Sequence, residues 1–218
     1  LVIAQTGINN VFATIKDHQV RIFLLILFVS IFIIYLFAEV YIDGNFFQKI
    51  ISISFNTISI ISGTGYVSEN FESWGNYASV LFLILMFIGG CAGSTTGGLK
   101  VFRFQILFKY LSLHFKKMLQ PHAVIASYFN NKSIPESTYE SVMGFFFLYI
   151  LTFASSALLL SFSGLDFLTC ISAAASAISN VGPGLGDIIG PEGNYSALSD
   201  YSKTILIATM FLGRLEML

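Results

Sequence analysis

The stretch that decides the fold is Phe46-Phe47-Gln48-Lys49-Ile50-Ile51-Ser52-Ile53-Ser54-Phe55-Asn56-Thr57-Ile58-Ser59-Ile60-Ile61, followed at once by Ser62-Gly63-Thr64-Gly65-Tyr66. Its pattern is helical and its composition mixes apolar residues with Ser, Thr and Asn. At 1.5 Å per residue a helix here is about 24 Å long, short of the ~30 Å hydrocarbon layer of a bilayer. A segment this short and this polar reads as re-entrant: it enters the membrane, stops and turns back. Residues 166–178 repeat the pattern and end in a second glycine-bearing turn, Ser179-Asn180-Val181-Gly182-Pro183-Gly184. Irregular backbone at membrane depth is tolerated only where it is buried in protein or lines a wet cavity. The two turns are therefore the candidate functional elements.

The rest of the chain supplies the membrane context. Of 218 residues, 55% are apolar and 11% charged, with 23 Phe and 10 Tyr, whereas soluble domains carry roughly 25% charge. Residues 22–41 and 142–162 read as full spans. Residues 77–88 form a short helix that runs into a Gly-rich stretch, helical pattern resumes from Leu99 to about Met118, and residues 204–218 begin a last span. Lys16, Arg21, Lys100, Arg103, Lys109, Lys116, Lys117 and Lys132 fall on one side of this arrangement. Glu39, Asp43, Glu69, Glu72, Asp166, Asp187, Glu192 and Asp200 fall on the other, opposed by Lys49 and Lys203. The basic side is taken as cytoplasmic, with a lipid-binding polybasic patch as the alternative. Ser133-Ile134-Pro135-Glu136 starts a helix, which leaves Lys117 to Lys132 as a cytosolic loop.

Placing Gly65 on Gly182, an offset of 117 residues, superposes Ile61-Ser62 on Ile178-Ser179. The order span, short helix, glycine turn, span then occurs twice, and such repeats in membrane proteins converge on a shared site. A dehydrated cation needs a ring of oxygens, which backbone carbonyls supply if the chain can adopt the required conformations. Glycine reaches positive φ without strain, and the C-terminal end of a helix carries partial negative charge. The ion-binding candidates are accordingly Ser62, Gly63, Thr64, Gly65 and Tyr66, with Ser179, Asn180, Val181, Gly182 and Pro183. An acidic outer vestibule would concentrate cations near them.

Other chemistries fail on pattern. The net charge of −1 offers no polyanion surface, so nucleic-acid binding is not expected. Gly182-Pro183-Gly184-Leu185-Gly186 is glycine-rich but lies in no βαβ unit, and in Gly93-Ser94-Thr95-Thr96-Gly97-Gly98-Leu99-Lys100 a leucine separates glycine from lysine. Cys91 and Cys170 form no metal pair and read as packing residues. His18, His114 and His122 do not cluster and read as solvated or interfacial. Trp74 and Tyr77 fit an outer aromatic belt, and Phe145-Phe146-Phe147 faces lipid or neighbouring helices. Asn194-Tyr195-Ser196 is a glycosylation sequon by pattern alone. No nucleophile or His/Asp cluster supports a membrane enzyme, and no covalent cofactor is implied.

Taken together, Gly63-Thr64-Gly65-Tyr66, the run Met86-Phe87-Ile88-Gly89-Gly90-Cys91-Ala92-Gly93-Ser94-Thr95-Thr96-Gly97-Gly98-Leu99-Lys100, Asn180-Val181-Gly182-Pro183-Gly184-Leu185-Gly186 and Gly213-Arg214-Leu215-Glu216 closely resemble the Trk-type potassium uptake proteins (TrkH, with KtrB and plant HKT relatives). The resemblance implies an all-α integral membrane fold of repeated span, re-entrant pore helix, filter turn and span units, like that of potassium channels. It implies K⁺ passage, with some Na⁺, through one filter glycine per repeat, with K⁺ at Thr64, Gly65, Val181 and Gly182. It also implies an intramembrane gate formed by Gly89, Gly90, Ala92, Gly93, Ser94, Thr95, Thr96, Gly97 and Gly98, with a pore-facing Arg214. The cost of a charge in a span predicts that Arg214 reaches the carbonyls between Gly90 and Gly97, with snorkelling to an interface or pairing with Glu216 as the alternative. A homodimer in the plasma (inner) membrane and a cytosolic nucleotide-binding regulatory subunit complete the picture.

In that frame residues 1–19 are the cytoplasmic end of a preceding segment and 20–118 a third-repeat-like unit with a broken second helix. Residues 119–140 are a cytoplasmic connection and 141–218 a fourth-repeat-like unit, with both chain ends read as cut. The turns depart from the Thr-Val-Gly-Tyr-Gly of strict potassium channels, which points to weaker K⁺/Na⁺ discrimination. Symport of K⁺ with H⁺ or Na⁺ stays open, Glu39 and Glu216 being the near-candidates for a proton relay.

Overall fold

The computed structural model describes residues 17–38, 40–120, 128–129, 132–133 and 135–215. Among these the helices are α1 (His18–Ala38), α2 (Phe46–Ile61), α3 (Asn76–Phe87), α4 (Val101–Leu119), α5 (Glu136–Ser161), α6 (Phe167–Ser179) and α7 (Asp200–Arg214). Two 3₁₀ turns, Phe71–Trp74 and Tyr195–Ala197, precede α3 and α7. Strands β1 (Tyr128–Phe129) and β2 (Lys132–Ser133) form a small antiparallel hairpin, with Tyr128 opposite Ser133. Among the described residues the fold is all-helical apart from that hairpin.

Among the described residues, two helices are long and apolar enough to cross a bilayer: His18–Ala38, with mean hydropathy 2.8, and Ser137–Ser161, with 2.0. α1 buries Ser30, Ile34 and Ala38, which at four-residue spacing form one stripe. Its remaining surface exposes Leu25, Phe28, Phe32 and Leu36, and α5 likewise exposes Phe147, Ile150, Leu151 and Leu158. Apolar area this continuous has no counterpart on soluble monomers, and lipid is its natural solvent.

Local chemistry shifts several boundaries from those expected. α1 closes at Ala38, whose carbonyl accepts from Tyr41 N at 2.9 Å and Ile42 N at 3.2 Å. α5 starts at Glu136, as the Ser133-Ile134-Pro135-Glu136 pattern predicts, with Pro135, at φ −67°, as its N-cap. α7 starts at Asp200, where Ser199 Oγ accepts from Ser202 N at 3.2 Å. The stretch read as a loop from Lys117 begins instead inside α4, which continues to Leu119. Lys16, His122, Glu39 and Glu216 lie outside the described residues.

The units α1-α2-α3 and α5-α6-α7 repeat one plan. Their shared core holds Ile34, Ile53, Ile60, Phe71, Trp74, Phe82 and Met86 from the first unit against Ala175, Val181 and Leu185 from the second. Trp74 is 1% exposed and packs against Phe71 and Phe82. This corrects the belt assignment: the 3₁₀ turn swings the indole inward, under the outer loop. α6 is buried over nearly all its surface, and its Ala173, Ala174 and Ala177 pack beside Leu160 of α5 and Leu206 of α7. Small residues let these three helices approach closely.

Candidate functional site

The two glycine turns lie side by side. A Cβ built on Gly65 would overlap the carbonyl oxygen of Val181, one on Gly63 would sit 3.7 Å from the carbonyl oxygen of Asn180, and one on Gly182 would sit 3.6 Å from Gly65 Cα. The turns also share a backbone plan. Gly63 (φ +66°) and Gly65 (φ +74°) correspond to Asn180 (φ +54°) and Gly182 (φ +115°). Asn180 is the one non-glycine with positive φ among the described residues. Asparagine tolerates the left-handed region better than most residues, and Asn180 Nδ2 is held by the Met210 carbonyl at 3.3 Å.

Hydrogen bonding sets where the carbonyls face. Thr64 N and Gly65 N donate back to Ser59 O at 3.0 and 3.4 Å; Val181 N donates to Ser176 O at 3.0 Å and Gly182 N to Ser176 Oγ at 3.0 Å. In a planar trans peptide the C=O points opposite to the N–H. The carbonyls of Gly63, Thr64, Asn180 and Val181 are thereby turned away from their own helices, and those of Asn180 and Val181 face the neighbouring turn. Among the described residues none of these four accepts a hydrogen bond. Gly182 O is different: it accepts from Tyr195 Oη at 3.0 Å.

A polar scaffold fixes the turns from behind. Asn56 of α2 is fully buried, donates to Ser52 O at 3.0 Å and Ser68 Oγ at 2.9 Å, and accepts from Ser68 N at 3.1 Å. Ser172 of α6 plays the corresponding part, accepting from Leu185 N at 2.9 Å and donating to Leu185 O at 3.0 Å. Each residue pins the segment that leaves its turn. Tyr149 of α5 bonds Ser179 Oγ at 2.6 Å within a buried pair. Ser62 and Thr64 hydroxyls lie 3.1 Å apart, and Thr64 Oγ1 donates to Ser59 O at 3.2 Å. Thr64, Tyr66 and Gly182 are exposed, while Val181 is buried.

Glu72 crosses between the units, accepting from Gly186 N at 2.6 Å. In the sequence Glu72 is one of eight acids on the outer side, and in the structure its side chain ties the outer loops together. Asp187 and Asp200 are exposed at the same end.

The Gly89 to Gly98 segment interrupts what would be one helix, α3 plus α4. Its neck is closed by Gly89 N to Leu99 O (2.9 Å), Leu99 N to Phe87 O (2.9 Å) and Val101 N to Gly90 O (3.1 Å), with Ile88 and Leu99 bridged in parallel. Inside the loop, Gly90 N donates to Thr96 Oγ1 at 2.9 Å, and Ser94 Oγ lies 2.7 Å from Thr96 Oγ1. Ala92 N donates to Gln19 Oε1 of α1 at 3.1 Å. Gly93, at φ +83°, has open space around it. Gly97 packs so closely beneath the second turn that a Cβ would overlap Ser179 O. Arg214, at the end of α7, donates from Nη1 to Thr95 O at 2.6 Å. The structure thus brings together both turns, the loop and Arg214.

Four contributors were not singled out by residue type. Asn56 and Ser172 look like ordinary polar residues of a short helix, and Tyr149 like any span aromatic. Gly213, next to Arg214, could have been found as a small residue inside a span: a Cβ there would overlap Ile178 O at the end of α6.

Comparison with known proteins agrees with this geometry. The family profile described as TrkH, cation transport protein, matches residues 3–218. The Trk system potassium uptake protein TrkI of Halomonas elongata is 40% identical over 206 residues, covering 94% of this chain and 42% of that protein. TrkH of Escherichia coli K12 is 35% identical over 202 residues, covering 92% and 41%. Among solved structures, the potassium transporter TrkH from Vibrio parahaemolyticus superposes with a TM-score of 0.83 at 33% identity, over 92% of this chain and 42% of that one. The chain spans about two fifths of the length of these relatives.

Proposed function

Since the chain belongs to the TrkH cation transport protein family, we propose that it forms half of a K⁺-conducting pathway through the plasma membrane. The reading is carried by one observation: four carbonyls, on Gly63, Thr64, Asn180 and Val181, are turned out of two abutting hairpins and left without a hydrogen-bond partner among the described residues. A dehydrated cation exchanges its water for such oxygens. K⁺ occupies positions along Thr64 and Val181, with Gly65 and Gly182 providing the backbone conformations, and Ser62, Tyr66, Ser179 and Pro183 bounding the turns. Two turns make half of a fourfold ring, and the remaining length of the relatives accommodates the other half. The relatives described above are named potassium uptake proteins, in keeping with this cargo.

The gate is the Gly89 to Gly98 loop with Arg214. An arginine in a span costs roughly 2.5–3.5 kcal/mol on insertion scales, and here its charge is spent on the loop carbonyl of Thr95, below the turns. The resulting positive charge opposes cation passage while the loop is closed. The pinned neck confines movement to the segment between Gly90 and Gly98. The full-length protein works as a homodimer with a cytosolic nucleotide-binding subunit acting on this gate.

The test is rubidium tracer uptake by the full-length protein in cells lacking their own K⁺ uptake, competed by K⁺ and Na⁺. Saturable uptake competed by K⁺ supports the reading, and its absence in a well-expressed protein overturns it. In the same assay Arg214→Ala raises uptake severalfold at fixed expression. Unchanged uptake would remove Arg214 from the barrier.

A further inference from the structure

The second turn contains an asymmetry that the first lacks. At Gly65 the carbonyl accepts no hydrogen bond among the described residues, whereas Gly182 O, its counterpart, is engaged by Tyr195 Oη at 3.0 Å. Tyr195 opens the 3₁₀ turn that precedes α7, the counterpart of the Phe71–Trp74 turn of the first unit. Asn194 Oδ1 caps that turn by accepting from Ser196 N at 2.9 Å. The ring lines a cavity of about 550 Å³ behind the turn, with Ser176, Asn180 and Gly182 on one wall and Leu206 and Met210 of α7 on the other.

We propose that Tyr195 is a specificity-determining residue of the ion path: its hydroxyl holds Gly182 O toward the back of the turn and lowers the field that the second unit presents to a dehydrated alkali cation. This rests on the conduction reading given above. A carbonyl oxygen has two lone pairs, and one that already accepts a phenolic hydrogen bond offers a cation less charge and less freedom to close in. Alkali-ion preference depends on the number and field strength of the coordinating carbonyls. A weaker field disfavours the smaller, more strongly hydrated Na⁺ more than it disfavours K⁺. Tyr195 thus compensates, from outside the turn, for a filter sequence that lacks the full potassium-channel pattern. Burial pushes the phenol of Tyr195 above its ordinary range, against a smaller opposing effect from the neighbouring Ser176 hydroxyl, so the group remains a donor across the physiological range.

The experiment compares wild-type and Tyr195→Phe full-length protein in rubidium uptake, reading the KM for Rb⁺ and the inhibition constant for Na⁺. The phenyl ring is retained, so packing in the cavity is kept. Freed of its partner, Gly182 O moves into the path, and Na⁺ inhibits at least about threefold more tightly relative to the Rb⁺ KM. p-Aminophenylalanine at position 195, which keeps a donor at the end of the ring, restores the wild-type ratio. A changed maximal rate with an unchanged Na⁺ to Rb⁺ ratio would overturn the proposal, as would a shift toward K⁺. If Tyr195→Phe expresses poorly, p-methylphenylalanine at position 195, which fills the hydroxyl's space without a donor, takes its place: a ratio shifted toward Na⁺ supports the donor role, and an unchanged ratio overturns it. Wild-type protein without Rb⁺ uptake would instead defeat the conduction reading, so the two failures are distinct.

Discussion

Gly65→Ala is expected to reduce rubidium uptake by the full-length protein by roughly tenfold or more, and Gly182→Ala to reduce it less. Both residues hold positive φ, at +74° and +115°, where a Cβ costs about 1–2 kcal/mol. They differ in what the added methyl meets. At Gly65 it would overlap Val181 O, a backbone atom that cannot rotate aside, whereas at Gly182 its nearest neighbour is Gly65 Cα at an ordinary 3.6 Å. The first substitution therefore pushes the two turns apart at the position where their carbonyls converge. Surface expression measured in parallel separates lost conduction from lost protein. Equal losses at the two sites would mean that the turns are not in contact in the working protein.

The second large effect lies away from the turns, at Gly213→Ala. A Cβ at 213 would overlap the carbonyl oxygen of Ile178, with the rest of that peptide close behind. This is the point where α7 crosses the C-terminal end of α6, and two backbones meet there with nothing between them. Overpacking of this kind costs about 1–3 kcal/mol, and more where neither side can yield. The detergent-purified protein should melt several degrees lower, and uptake should fall with it, because displacing α7 also moves Arg214 from Thr95 and Met210 from Asn180. Gly144→Ala is the control: Gly144 lies in α5 with nothing within 4 Å of its would-be Cβ, and alanine there should stabilise by about 0.5–1 kcal/mol. A Gly213→Ala protein as stable as the Gly144→Ala one would show that α6 and α7 are farther apart than described.

Much of this arrangement was readable in the amino-acid order because the relevant signals are local. A short apolar helix with Ser and Thr, ending in glycines, can be recognised without knowing its neighbours, and α2 coincides with the stretch read as re-entrant. The repeat was visible through Gly65 and Gly182, and it extends to the backbone: Gly63 has its counterpart in Asn180, a correspondence that residue identity hides and φ reveals. The interrupted α3–α4 helix was marked by its run of glycines.

What could not be read depends on contacts distant in sequence. Trp74 sits at the outer end of a helix, where aromatic residues usually meet headgroups, but a four-residue 3₁₀ turn reverses its direction. Glu72 is one acid among many until Gly186 is brought against it. Tyr195 falls within a sequon in a loop, and only folding carries its hydroxyl to the carbonyl of Gly182. Hydrogen-bond partners far apart in the chain leave no periodic trace, whereas turns and helix ends do.

The most direct test of the account is a structure of the full-length protein crystallised in rubidium or caesium, with the ion located by anomalous scattering. A peak is expected between the two turns, coordinated by the carbonyls of Thr64 and Val181. Strong peaks elsewhere along the pathway with none at that position, in a preparation that transports the same ion, would contradict it.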